Sequence, residues 1–268
     1  MSPTSTVRFL GTATVTPSAG QDTACLLING TCLVDTGWNA TINMLQYGCD
    51  PLDIDTLLIT HCHHDHYIGL PHLLFYHAMR RAACPDKGPL TIIGPSPDIG
   101  MIVERTLHFL RHEQFPVVAT PPIVIPLQAG QTHDAGRLSI RTAPSVHPVV
   151  GLCYRLEDRD SGVVVTITGD TAFHEPIAAH AAGSDLLVHE ASRGPVASDP
   201  NAMGGHSGSL DAAHIAAKAD VRRLALIHYP IHQRRAAVEA ARAIFPATCA
   251  PAEGECLELC ASGADAAG

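Results

Sequence analysis

The segment Thr60-His61-Cys62-His63-His64-Asp65-His66 constrains this chain more than any other. It runs straight out of Leu57-Leu58-Ile59, an apolar stretch that reads as a buried strand. In open α/β sheets, sites lie beyond the carboxyl ends of strands. Residues two apart in an extended segment point the same way, so His61 and His63 can grip one ion. Asp65 and His66 then turn toward a second. Imidazole and carboxylate without thiolate suit zinc or a similar first-row ion in an open, catalytic site. His64 breaks the alternation and is expected to be exposed, and Cys62 should point away from the ligands. The chain holds 17 histidines. Fold physics does not ask for them, because His is neither a preferred core residue nor a strong helix former, whereas it is the commonest metal ligand.

The rest of the chain reads as short elements joined by tight loops, in keeping with 22 Gly, 20 Pro and 16% charged residues. Strands are predicted at 7–10, 24–28, 31–34, 56–60, 90–93, 123–126, 138–143, 152–156, 163–168, 186–189 and 224–228. Asn29-Gly30 between the second and third is a type I′ hairpin signal. Helices are predicted at 39–47, with Ile42, Leu45 and Gln46 on one side, and at 70–83, 98–111, 175–182, 209–219 and 234–245. Strands followed by alternating strands and helices, twice over, suggest an α/β chain of two face-to-face sheets with helices outside. No low-complexity linker divides it, so 1–268 is read as one domain with tails at 1–6 and 261–268. The formal charge of −9 opposes a nucleic-acid backbone. Nine cysteines without a CxxC pair, and no apolar run near the roughly 18 residues of a membrane span, are read as reduced thiols in a cytoplasmic protein with no membrane partner.

The pattern His-x-His-x-Asp-His after a buried strand resembles the signature of the metallo-β-lactamase superfamily. That resemblance implies a four-layer αββα sandwich, two mixed β-sheets face to face with helices outside. It also implies further ligands, which the chain supplies in the right order, each at an expected strand end. They are His147 after Ala143-Pro144-Ser145-Val146, Asp170 in Thr168-Gly169-Asp170-Thr171, and His228 closing 224–228. By this likeness His61, His63 and His147 hold one ion, Asp65, His66 and His228 hold the other, and Asp170 bridges them. The implied cofactors are two divalent metal ions, zinc first, with manganese or iron as alternatives. Asp35, in Val34-Asp35-Thr36-Gly37, matches an aspartate that braces the metal loops by hydrogen bonds rather than binding metal. Diiron members generally carry Glu where His63 stands, so an oxygen-reducing role is not implied.

Within the superfamily the likeness is to the ribonuclease Z branch and covers nearly the whole chain. It rests on Phe9-Leu10-Gly11-Thr12, Ile93-Gly94-Pro95, Val188-His189-Glu190-Ala191-Ser192 and His206-Ser207. By that match His206 is the general acid for the leaving oxygen, and Glu190 holds its tautomer and raises its basicity. The chain also departs from the branch. A long tRNA-gripping arm is absent, since only 22 residues separate His147 from Asp170, enough for a hairpin. His64 stands where Gly is common, and Gly208 follows His206-Ser207 where Thr is usual. With no arm and an acidic charge, neither tRNA 3′ processing nor a nucleic-acid partner is expected.

The expected function is a binuclear metal-dependent hydrolase, a phosphodiesterase on a small or cyclic phosphodiester. Metal-bound hydroxide attacks, Asp65 orients it, and His206 protonates the leaving group. A lactone, thioester or lactam hydrolase on the same metal platform is the alternative. Substrate contacts are expected from Trp38, Tyr67, Ser207 and His232. Trp38, Tyr67 and Phe75 read either as core packing of a helix or as the wall of an apolar pocket or dimer contact. The branch is commonly dimeric, which makes a homodimer the expected assembly.

Overall fold

The computed structural model describes residues 3–81, 83–84, 86–114, 121–198 and 204–261. Its first sheet takes β1 (Ser5–Gly11), β2 (Cys25–Ile28), β3 (Cys32–Val34), β4 (Thr56–Leu58), β5 (Thr91–Pro95) and β6 (Ile123–Leu127). Its second takes β7 (Thr132–Ala135), β8 (Leu138–Pro144), β9 (Leu152–Asp158), β10 (Val164–Ile167), β11 (Leu186–Glu190), β12 (Leu224–Ile227) and β13 (Thr248–Cys249). The last strand, β14 (Cys256–Leu259), returns to the first sheet beside β1. The orders are β14-β1-β2-β3-β4-β5-β6 and β13-β12-β11-β10-β9-β8-β7, seven strands each. Helices α1 (Ala40–Gln46), α2 (His64–Tyr67), α3 (Leu70–Arg81) and α4 (Asp98–Phe109) belong to the first half, α5 (Pro176–His180), α6 (Ser209–Lys218) and α7 (Arg234–Arg242) to the second.

Period-two alternation sorts the side chains into layers. Leu26 and Ile28 of β2 join Val165 and Ile167 of β10 and Ala225 and Ile227 of β12 in a cluster between the sheets. The alternate residues, Cys25 and Leu27, pack with Leu57, Met44 and Leu73 under α1 and α3. On the far side Leu187, Leu224 and Leu226 pack against Ala212, Ala216 and Ala237 of α6 and α7. Three apolar layers between four layers of backbone are the αββα sandwich that the sequence led us to expect. Strands buried on both faces explain the continuous apolar runs of β4, β11 and β12.

The hairpin forms at Asn29-Gly30 with φ of 52° and 75°, the two positive values a type I′ turn needs. Other details differ from the sequence reading. β1 begins at Ser5, which pairs with Leu259, so residues 5 and 6 are strand rather than tail. At the other end Ala261 packs against the inter-sheet cluster. Residues 1–2 and 262–268 of the expected tails lie outside the described residues. On α1 the buried residues are Ala40, Thr41 and Met44, so the apolar side formed by Ile42 and Leu45 faces outward. The three strands β7, β13 and β14 were not expected.

β3 to β6 run parallel, as do β10 to β13. Their carboxyl ends carry Asp35, the 60–66 loop, Asp170, Glu190 and His228 to one edge of the sandwich, and β8 delivers His147 beside them. Short hydrogen bonds stitch the sheets together there: Leu152 N to Thr60 O, His228 N to Thr12 O, and Tyr154 Oη to Ile59 O, each 2.8 Å. Among the described residues no helix is long and apolar enough to cross a membrane.

Candidate metal centre

The loop after β4 is extended through His63 and then winds into α2, so the same few residues face two ways. Nε2 of His61 lies 3.2 Å from Nδ1 of His63, and Nε2 of His147 lies 2.8 Å from that same atom. Nδ1 of His147 donates to Gly205 O at 2.8 Å, which leaves its Nε2 as a lone pair facing the other two rings. Converging lone pairs of this kind call for a shared cation. Asp65, His66 and His228 form a second group whose ligand atoms all lie within 4.8 Å of one another. Asp170 stands between the groups, its Oδ2 3.8 Å from His61 Nε2 and 3.6 Å from His66 Nε2.

Two orphaned atoms test whether divalent ions fit. His66 Nε2 and Asp170 Oδ1 are buried, yet neither makes a hydrogen bond of ordinary geometry. Buried polar atoms are nearly always satisfied, and both point among the other ligands. The donor set, five imidazoles and two carboxylates, is the kind zinc and its first-row neighbours take. The residues therefore fit two ions. The chain's contribution is to fix the rings. Asp35 accepts from Thr60 N, Thr60 Oγ1 and His66 Nδ1, each at 2.8 Å, and so locks the tautomer of His66. Ser192 Oγ donates to Glu190 Oε2 at 2.5 Å and accepts from His228 Nδ1 at 2.7 Å. Asp35 and His228 hold left-handed backbone, φ 56° and 52°, a conformation that Asp and His adopt more readily than most residues. Two glycines let the loops close: a Cβ on Gly169 would meet Thr60 Cβ at 2.7 Å, and one on Gly205 would meet His147 Cα at 2.8 Å.

The electrostatics suit ligands. Burial, reinforced by neighbouring imidazoles, holds His61 well below its ordinary pKa, and burial lowers His63 and His147 as well. Burial pushes Asp65 up, but contacts with His228 and His66 outweigh it and keep the carboxyl well below its usual range. For His66 burial opposes protonation, while Asp170 and Asp35 reverse the sign and raise it well above 6.5. A divalent ion bound beside His66 would supply the positive charge that these two carboxylates favour.

Beside the ligands, Glu190 is buried and fully engaged. Its Oε1 accepts from Thr171 N at 2.7 Å and His206 Nδ1 at 3.0 Å, and its Oε2 accepts from Ser192 N at 3.1 Å. His206 keeps 26% of its side chain exposed and lies flat against His228, with ring centroids 5.8 Å apart. Burial lowers its pKa, but the hydrogen bond and charge of Glu190 raise it overall. With Nδ1 held by Glu190, Nε2 is the atom free for proton transfer.

An open cavity of about 430 Å³ sits over this centre, walled by His63, His64, Asp65, Asp170, His206 and His228 together with Thr14, Val15, Ser192 and Arg193. None of the four expected substrate contacts lines it. Ser207 is buried and donates to Thr171 O at 2.7 Å, so it braces the His206 segment. His232 opens onto a separate groove beside α7. Tyr67 packs into the layer under α3, as core packing requires. Trp38 and Phe75 stay 36% and 46% exposed and are not core, and Trp38 sets an edge against exposed His64 at 6.3 Å. Cys62 packs into the α3 layer, and burial pushes its thiol up to about 12. Thr14, Val15 and Arg193 carried no signal in the sequence, and Ser192 appeared there only as the end of His189-Glu190-Ala191-Ser192.

A fold and a site of this kind define a class, and the profile of the Metallo-beta-lactamase superfamily matches residues 20–228. The chain belongs to that superfamily, and it is a hydrolase of it. Among curated relatives, the "Ribonuclease Z" of Mycobacterium bovis is 30% identical over 244 residues, covering 83% of this chain and 85% of that one. The crystal structure of the metallo-beta-lactamase fold protein YhfI from Bacillus subtilis superposes with a TM-score of 0.80 at 22% identity, over 96% of this chain and 100% of that one. A new diphosphatase from the PhnP family does so with a TM-score of 0.71 at 19% identity, over 97% and 100%. At such identities the two structures speak to the fold alone.

Proposed function

We propose that the protein is a binuclear metal-dependent phosphodiesterase, zinc being the first choice of metal, that acts on a small or cyclic phosphodiester. The observation that carries this reading is the Glu190–His206 pair, a buried carboxylate that presents an imidazole at the cavity wall beside the ligands. A separate proton donor matters most when the leaving alkoxide is poor, as in an alkyl diester. When bound, divalent ions supply Lewis acidity and lower the pKa of water. Asp65, held ionised, orients the attacking water. The new P–O bond forms from the water oxygen, whose proton leaves to solvent, the bond to the leaving oxygen breaks, and His206 delivers its Nε2 proton to that oxygen. Glu190, accepting from Nδ1, favours the doubly protonated ring, from which Nε2 can give that proton.

The relative's name points to RNA, yet here the 22 residues between His147 and Asp170 are taken up by β9, β10 and their turn, which supports a small substrate. The test is turnover of bis(p-nitrophenyl) phosphate and of 2′,3′-cyclic AMP by metal-loaded protein. Asp65→Ala should abolish both activities. His206→Ala should lower kcat on the cyclic diester by about 10²–10⁴ and do less to the nitrophenyl ester, whose leaving group needs no proton. Turnover of lactones, thioesters or lactams with neither diester touched would replace this reading with the carbonyl one.

A further inference from the structure

We propose that Arg193 selects substrates whose leaving group carries a second oxyanion, a phosphate or a carboxylate; this rests on the phosphodiesterase reading above. Among the described residues that line the cavity, Arg193 is the one Lys or Arg. Its place is set by the backbone. Arg193 N donates to Ser207 O at 3.0 Å, and Ser209 N donates to Gly194 O at 2.9 Å, so the turn after β11 is stitched to the segment carrying His206. The guanidinium leans over that same segment, with one terminal nitrogen 3.0 Å from where a Cβ on Gly204 would stand. Its charge is felt at His206, whose protonated form it disfavours. Arg193 therefore occupies the His206 side of the cavity, the side on which the leaving oxygen must lie to receive the proton.

A lone phosphodiester has one negative charge, and the metal centre answers it. A guanidinium on the leaving-group side places a positive charge next to the group that departs. Its planar fork of donors matches the paired oxygens of a phosphate or carboxylate. The chain as a whole is at −9, so a second anion is drawn to this mouth by a local cation or not at all.

The experiment compares methyl 4-carboxyphenyl phosphate with methyl 4-carbamoylphenyl phosphate, using wild type, Arg193→Gln and Arg193→Lys, all metal-loaded. In Arg193→Gln the ratio of kcat/KM for the carboxylate ester over the carboxamide ester should fall about tenfold, the low end of a charge-assisted hydrogen bond. The loss should reside in KM, and Arg193→Lys should restore part of it. An unchanged ratio, from equal losses or from none, overturns the proposal. Calorimetry with the products gives a readout without turnover: wild type should bind 4-hydroxybenzoate more tightly than 4-hydroxybenzamide, and Arg193→Gln should lose that preference. If wild type hydrolyses neither ester, the phosphodiesterase reading falls. The calorimetry still decides for Arg193, and a preference that survives in Arg193→Gln counts against it.

Discussion

At the scale of single residues, the centre depends on groups that touch no substrate. Asp35 is the clearest, since one carboxylate ties Thr60, at the start of the histidine loop, to His66. Asparagine tolerates the left-handed backbone at this position, so Asp35→Asn keeps the turn while removing the charge that fixes the His66 ring. Loss of such a partner typically costs about 10- to 100-fold in metal affinity. Competition with a chromophoric chelator should show that loss for the site containing His66, with the far-ultraviolet dichroism of the fold retained. Equal affinity in the variant would mean that packing alone orients His66. Asp35 was legible through the resemblance of Val34-Asp35-Thr36-Gly37 to the superfamily. Ser192, which orients His228, was not read as a site residue, because a serine after His-Glu-Ala gives no spacing signal of its own.

Between elements, the sequence could show what is periodic and local. The long apolar strands and the Asn29-Gly30 hairpin declare themselves in this way. β7 does not, because Thr132-His133-Asp134-Ala135 is a partly exposed edge strand without apolar alternation. β14 does not either, because what makes it a strand is β1, more than 240 residues earlier. The loop that precedes β14 ties back to the site through Glu253, whose carboxylate accepts from Asp22 N. Asp22 in turn accepts from Trp38 N and Asn39 N at 3.0 and 2.7 Å, which anchors the loop after Asp35. Burial, with Asp22 nearby, pushes Glu253 up from 4.5 to about 7. Between those values the folded chain binds more protons than the unfolded one, so stability falls as pH rises through the window. Such a shift is worth about 3 kcal/mol in full, and screening at this half-buried position leaves about 1 kcal/mol. Glu253→Gln cannot ionise and should melt about 2–4 °C above wild type at pH 8, with the gap closing toward pH 5. Calorimetry in chelator checks this, and parallel melting curves across the range would remove Glu253 from the account.

For the whole molecule, the candidate ligands divide between the sheets. His61, His63, Asp65 and His66 follow β4 in the first, while His147, Asp170 and His228 follow β8, β10 and β12 in the second. The local cluster was readable because four candidate ligands fall within six residues. The cavity was not, because Thr14, Val15, Ser192 and Arg193 meet only when the sheets pack. Each triad draws on both sheets, His147 completing one and His228 the other. An ion held this way binds the folded chain and not the unfolded one, so it must stabilise the sandwich as a unit. At a metal concentration 100 times Kd, one site is worth about 2.7 kcal/mol. At roughly 2–4 °C per kcal/mol for a chain of this size, zinc should raise the melting temperature by about 5–10 °C over chelated protein. His147→Ala and His228→Ala should each forfeit a large part of that gain, since either change leaves Asp170 as the one group from the second sheet beside that ion. If two equivalents of zinc bind without moving the midpoint, the ions do not bridge the sheets, and the local 61–66 loop holds them without help from the second half.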